Sequence, residues 1–336
     1  MTNKKSKQSR RRKKLFLAIL MILFTGVLLT TSTYAWFTAN RTVTVENIDV
    51  TVAAMNGLQI SVDAINWKPT ITNADILGAK TGEYGGATNQ IPAGENSAPV
   101  STIGAIDGNT GFMNMYAGAI ETADGQYILT TEKTTESNGE GGKFVVFDLF
   151  FSTTSATPIY LTNASNVLYS EGPSGLENAA RIAFVKQGNV AAGAGYAAAQ
   201  ALKADASVVP IIWEPNYDTH TDAAVQNAFN TYGIKTTATG ATELDYVGVK
   251  APIGAELKMP VNSNNETYFT AVNPAIQTPS AGISKSSFQA VFNLEPGITK
   301  YRIYMWIEGQ DVDCENNASG GSISYNLQFS MNDAAA

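Results

Sequence analysis

Apolar and polar residues alternate most strictly near the C-terminus. Ile323, Tyr325, Leu327, Phe329 and Met331 interleave with Ser324, Asn326, Gln328 and Ser330. A period of two puts the first set on one face of a β-strand and the second on the other. Tyr301, Ile303, Met305 and Ile307 alternate in the same way, with Arg302, Tyr304 and Trp306 in the opposite phase. The polar stretch between the two runs predicts a hairpin with a long tip. Because Tyr304 and Trp306 are also large, cover on both sides of this pair is expected.

Residues 41–52 alternate too, with Val43 and Val45 in one phase and Ile48, Val50 and Val52 in the other. The slip at Glu46-Asn47 predicts a bulge or two short strands. Leu58, Ile60 and Val62 continue the alternation after Gly57. The run KFVVFDLFF at 143–151 is apolar in nearly both phases, which predicts a central strand. Shorter strands are expected at 159–161, 181–185, 208–213 and 288–294, the last closed by the turn signal Glu295-Pro296-Gly297. Helical signals are confined to residues 190–206, interrupted by Gly193 and Gly195, and 221–232, where Val225, Phe229 and Tyr232 share a face. Residues 70–110, 132–142 and 233–287 are rich in Gly, Ser, Thr, Asn and Pro and predict loops or small subdomains. Many strands with turn punctuation and no βαβ rhythm predict a mainly β fold. The expected architecture is an antiparallel β-sandwich, jelly-roll-like, with loop and short-helix insertions at about 165–287.

The N-terminus follows another pattern. Eight Lys and Arg residues and no acid precede an apolar run of 15, Leu15 to Leu29, and small or polar residues follow up to Thr33, Tyr34 and Ala35. This is the order of a secretory signal, with cleavage between Ala35 and Trp36. Residues 1–35 are therefore read as a signal peptide or membrane anchor and 36–336 as the exported domain. If uncleaved, residues 15–37 are long enough to hold the chain in a membrane. Either way, the chain is expected to be secreted or on the extracellular face of the cell membrane.

Export changes the charge balance. The whole chain carries 22 basic and 29 acidic side chains, but eight of the bases leave with the signal, so the remainder has 14 bases against 29 acids. Such a domain repels nucleic acid, which is not expected as a partner. Its one cysteine, Cys314, excludes an intrachain disulfide.

Candidate chemistry is sparse. One histidine, His220, cannot supply an HExxH zinc site, and it lies in a polar loop with no nucleophile-elbow pattern, so it is expected at the surface. Asp148, Glu214, Glu308 and Asp311 are candidates for a paired-carboxylate site, but no spacing selects two of them. No catalytic residue and no enzyme activity are expected. Asp311, Asp313 and Glu315 alternate on the loop after residue 308 and are candidate calcium ligands, although the EF-hand pattern fails at Asn316 and no glutamate closes the loop. A solvated loop tip is the alternative. No cofactor is expected beyond this candidate calcium ion. Trp67, Trp213 and Trp306 are candidates for either a sugar-binding face or the core.

The residues Thr33-Tyr-Ala-Trp-Phe-Thr38, followed by Val43, Val45, Ile48 and Val50, resemble the start of exported Gram-positive proteins of the TasA and camelysin group, which carry a SipW-type signal peptide. The stretch Tyr304 to Cys314 with the last strand resembles related surface proteins. The resemblance implies an extracellular jelly-roll protein of biofilm matrix fibres or a cell-surface coat. Its implied partners are a signal peptidase, then further copies of itself as a homopolymer, or other matrix and surface components. Cleavage after Ala35 would free residues 36–45 as a strand-prone N-terminus, with Val43 and Val45 as candidate donor side chains for an open sheet edge of a neighbour. The alternatives are that this strand pairs within its own domain, and that the protein is a membrane-anchored adhesion or ligand-binding module.

Overall fold

The computed structural model of the chain describes residue 45 and residues 47–123, 126–170, 175–216, 220–226, 247–258, 267–272, 276–277, 290–314 and 321–331. Two sheets face each other as a β-sandwich. The first runs in the order β16 (Phe292–Leu294), β8 (Thr157–Leu161), β18 (Ser322–Ser330), β1 (Asn47–Ala54) and β3 (Thr70–Thr72), with β9 (Asn166–Tyr169) also beside β18. The second runs β15 (Ile276–Gln277), β11 (Ile211–Glu214), β10 (Ala180–Val190), β17 (Gly297–Ile307), β7 (Val145–Thr153) and β2 (Gln59–Ser61).

The alternating strands do what their pattern requires. β1 buries Ile48, Val50 and Val52 and exposes Asp49 and Thr51. β18 buries Ile323, Tyr325, Leu327 and Phe329 against Phe147, Leu149 and Phe151 of β7, Phe184 of β10 and Ile303 and Met305 of β17 in one continuous core. Its centre is aromatic. Phe292 stacks on Tyr301 at 4.2 Å between centroids, and Phe151 meets Phe329 edge-on at 5.3 Å. Such pairs add about 0.5–1.5 kcal/mol beyond their burial.

β7 and β17 are buried on both faces. Behind them lies a second core containing Val146, Val185, Tyr304 and Trp306, closed by Val100 and Met115. Those last two come from a third sheet, ordered β13 (Ile253–Lys258), β6 (Gln126–Thr134), β5 (Met115–Ala123) and β4 (Val100–Ser101). Of the strand pair expected to be covered on both sides, the Tyr301–Ile307 strand is, whereas β18 keeps Ser324, Asn326 and Gln328 on a half-buried face. A small pair, β12 (Val247–Val249) with β14 (Phe269–Ala271), completes the sheets among the described residues.

Several expectations are corrected. β17 and β18 are not a hairpin: β17 pairs with β10 and β7 in one sheet, β18 with β1, β8 and β9 in the other. Alternation fixes the buried face of a strand, not its partner. The sandwich is not wholly antiparallel, because β1 runs parallel to β18 and β11 parallel to β15. The stretch 165–287 is not simply inserted, since β9, β10 and β11 belong to the two main sheets. The 190–206 helix shrinks to α2 (Tyr196–Gln200), as Val190 still belongs to a strand and Gly195 sits at φ 81°. Of the 221–232 helix, residues 222–226 are helical, Thr221 precedes the helix, and 227–232 lie outside the described residues. The β5–β6 hairpin lies outside the expected strands.

Two local devices finish the first sheet. The short β3 covers β1 only at Thr51–Ala53. Farther along, the Asn73 side chain, at the start of α1 (Asn73–Gly78), imitates a strand: it accepts from the Val50 N–H and donates to the Ile48 carbonyl, each at 2.8 Å. This satisfies an edge that would otherwise invite pairing. The turn from β1 into the opposite sheet places Asn56 at φ 59° and Gly57 at φ 82°, left-handed conformations that Asn and Gly adopt most readily.

Candidate functional site

The outer face of the second sheet carries charges where the sequence is otherwise apolar. A charge there must find a partner, since burying it alone costs several kcal/mol. Among the described residues these charges gather in two clusters.

The first centres on Asp148 of β7 and Lys300 and Arg302 of β17. Arg302 Nη1 lies 2.7 Å from Asp148 Oδ1, and Lys300 Nζ 3.1 Å from Oδ2. The Tyr84 hydroxyl donates to Oδ2 at 2.7 Å, and the Asp148 N–H donates to Asn89 Oδ1 at 3.0 Å. Arg302 also pairs with Glu136, from the loop after β6, and Glu136 accepts from the Tyr304 hydroxyl at 2.6 Å. The Phe112 ring covers the guanidinium at 4.6 Å. Burial pushes the Asp148 carboxyl up, but Arg302 and Lys300 outweigh it and hold the group below the usual carboxylate range. Burial lowers Lys300 and raises Glu136, in each case against the pull of an opposite charge. Above the cluster opens a cleft of about 540 Å³, bordered by Tyr84, Thr88, Phe112, Gln200 and Lys203.

The second cluster surrounds Arg181 at the start of β10. Its Nη2 lies 2.5 Å from Glu214 and 2.6 Å from Asp311, and its Nη1 donates to the carbonyls of Asn178 and Ala180. Asp311 Oδ1 accepts from the Asp313 N–H at 2.9 Å. Asp313 accepts from the Thr221 N–H and hydroxyl at 2.9 and 2.8 Å and lies 2.7 Å from His220 Nδ1. Glu308 accepts from the Trp306 indole at 3.0 Å and the Gln310 N–H at 3.1 Å. Burial raises Glu214 and Glu308 to about 7, and His220 is also raised, its own burial being outweighed by Asp313 and Asp311. Gly175 stands at φ 93°, where a Cβ would lie 2.7 Å from Asp313 Oδ1, so only glycine lets the chain pass so close.

Of the four carboxylates singled out in the sequence, the fold brings Glu214, Glu308 and Asp311 together and leaves Asp148 in the other cluster. None is a solvated turn residue. His220 is not a surface histidine, as its side chain is 5 % exposed. Asp311 and Asp313 are buried rather than at a solvated tip. His220, Asp311 and Asp313 bring potential ligand atoms within 4.8 Å of one another. Every oxygen of the two aspartates, however, already accepts from a protein donor, and Arg181 stands where a calcium ion would be repelled. The donor set fits an internal ion-pair network better than a calcium cage. Glu315 lies outside the described residues.

Trp213 and Trp306 are core residues of opposite faces, and Trp67 is only partly buried beside a third small cluster, so the three form no common sugar-binding face. Cys314 is buried. Thr33, Tyr34, Ala35, Trp36 and Val43 lie outside the described residues, as does the segment 15–37. No helix among the described residues is long and apolar enough to cross a membrane. Val45 is 2 % exposed and packs in the core of its own domain.

The fold and its clusters define a β-sandwich with an outer layer attached partly through buried ion pairs. No family model, no curated protein and no solved structure matches the chain.

Proposed function

We propose that this is an exported structural protein of an extracellular matrix or cell-surface coat, which assembles through its N-terminal strand after signal cleavage. The observation that carries the reading is the way the export segment runs into the fold. Ten residues after Ala35, Val45 enters the core, and β1 follows directly between β18 and β3. β1 is tied to the described domain at its C-terminal end, through the Asn56-Gly57 turn. A strand held at one end can be exchanged between copies without threading, and its backbone hydrogen bonds and the pockets for Ile48, Val50 and Val52 would provide the affinity. The exchanged unit is then β1 with its leading residues, rather than Val43 and Val45 alone.

The test is N-terminal sequencing and sedimentation of the native protein from culture supernatant and cell-surface fractions. A start at or near Trp36 in high-mass assemblies supports a processed subunit. An intact Met1 or Thr2 start in the membrane fraction overturns it. A folded variant lacking residues 36–54 that still assembles normally sinks the strand-exchange step. The second reading, an anchored surface binding module, draws on the cleft beside Phe112 and Lys203, and the intact start would favour it.

A further inference from the structure

Lys300 and Asp148 lie on neighbouring strands, set diagonally, since Arg302 is the register partner of Asp148 and Lys300 that of Phe150. Their side chains are only 8 % and 3 % exposed, and Nζ is 3.1 Å from Oδ2. The rings of Tyr84 and Phe150 flank the amine at 5.6 and 5.9 Å. An amine and a carboxyl group held in contact with little water are the two reactants of an amide, already positioned. We propose that Lys300 and Asp148 condense within the folded protein to an Nζ–Cγ amide that covalently links β17 to β7.

The ion pair contains every atom the step needs. A proton passes from the ammonium to the carboxylate along the 3.1 Å contact, leaving an amine beside a carboxylic acid. The amine lone pair forms the bond to Cγ. Arg302 Nη1, 2.7 Å from Oδ1, stabilises the oxyanion that develops there, and the Tyr84 hydroxyl, 2.7 Å from Oδ2, donates to the leaving oxygen. The Cγ–Oδ2 bond breaks, and Oδ2 departs as water with two of the three ammonium protons. The third stays on the amide nitrogen. No oxidant or other reactant is required.

The surroundings suit the product as well as the reactants. The amide oxygen keeps its bond from Arg302. The amide N–H has acceptors in place, since Nζ is 2.9 Å from the Gln200 carbonyl and 3.0 Å from that of Leu202. Condensation removes one buried charge of each sign and leaves Arg302 paired with Glu136. It thereby relieves the cost of keeping a second ion pair away from water. Burial also lowers the hold of Lys300 on its proton. Arg302 keeps Asp148 ionised, which slows the reaction, but each molecule needs to react only once.

Peptide mapping of the denatured native protein tests this. Trypsin cuts after Lys143, Arg181, Lys285 and Arg302, and a linked Lys300 resists cleavage. The expected product is peptide 144–181 joined to peptide 286–302, lighter than their sum by one water. Recovery of the two peptides separately, with Lys300 cleaved, overturns the proposal. A joined species that persists in Lys300→Arg protein would place the link elsewhere and overturn it too.

Discussion

Glu308 makes the second charge cluster sensitive to pH in a calculable way. It is 0 % exposed, and burial raises it from an ordinary 4.5 to about 7. A carboxyl group raised in this way holds an extra proton in the folded state between those two values. Its contribution to stability is therefore fully present below pH 4.5 and is lost as pH rises through about 7. At about 1.4 kcal/mol per pH unit, the gap is worth about 3 kcal/mol. Glu214 is also raised to about 7 and His220 is raised, so both act with the same sign. The charge of Glu308 also raises Glu214, so the effects of the two groups do not simply add. The depressed carboxylates Asp63, Asp75 and Asp107 have the opposite sign but act at lower pH. The assay is urea unfolding at pH 5, 6, 7 and 8. Native protein is expected to lose about 3 kcal/mol between pH 5 and 8, and Glu308→Gln, which keeps the neutral shape, about 1–2 kcal/mol less. A native stability that is flat or rising over this range, or a Glu308→Gln profile parallel to the native one, refutes the reasoning.

Three further outcomes follow from the packing. Phe292→Ala removes the ring that touches Phe151, Phe184, Tyr301 and Phe329, and should cost about 3–5 kcal/mol in denaturant unfolding. Asn73→Ala uncovers the Ile48–Val50 edge, costing about 1–2 kcal/mol and increasing aggregation by light scattering on storage. His220→Ala breaks the contact with Asp313, and limited proteolysis within residues 215–226 should quicken by ~5-fold with far-UV circular dichroism unchanged, as expected for the loss of ~1 kcal/mol of local stability.

Strands with strict alternation were legible because burial on one face leaves a period of two. β1, β17 and β18 were found this way, and β7 by apolarity in both phases. The division of strands between sheets was not legible, since β17 and β18 carry equally good alternation and end in different sheets. The β5–β6 hairpin has a signal in the sequence: Ala123 pairs with Gln126, and the dipeptide between them in the chain, Asp-Gly, is one that two-residue hairpin loops favour. The partners of the buried clusters were hidden for another reason. Asp148 and Arg302 are 154 residues apart, and Arg181 and Asp311 130 apart. A trace was nevertheless present, because Asp148, Arg181 and Arg302 each sit within or beside runs that are apolar in both phases. A strand buried on both faces cannot leave such a charge unpaired.

That trace also explains how the outer layer is held. Some of the outer face of the second sheet is apolar, through Val146, Val185, Tyr304 and Trp306. The rest is charged; some of these charges pair within the sheet, as Asp148 does with Arg302 and Arg181 with Glu214, and others take partners from segments outside the sandwich. Glu136 and Tyr84 reach Arg302 and Asp148 from loops, and His220 and Thr221 reach Asp313 ahead of the 222–226 helix. Hydrophobic contact alone would tolerate many ways of laying these loops on the sheet. Charge pairs with donors on defined atoms tolerate few, because a misplaced loop leaves a buried charge bare at a cost of about 3–5 kcal/mol. The ion pairs therefore contribute more to the uniqueness of the outer layer than to its net stability, and raised pH should loosen the Glu308 side first while the aromatic centre of the sandwich stays packed.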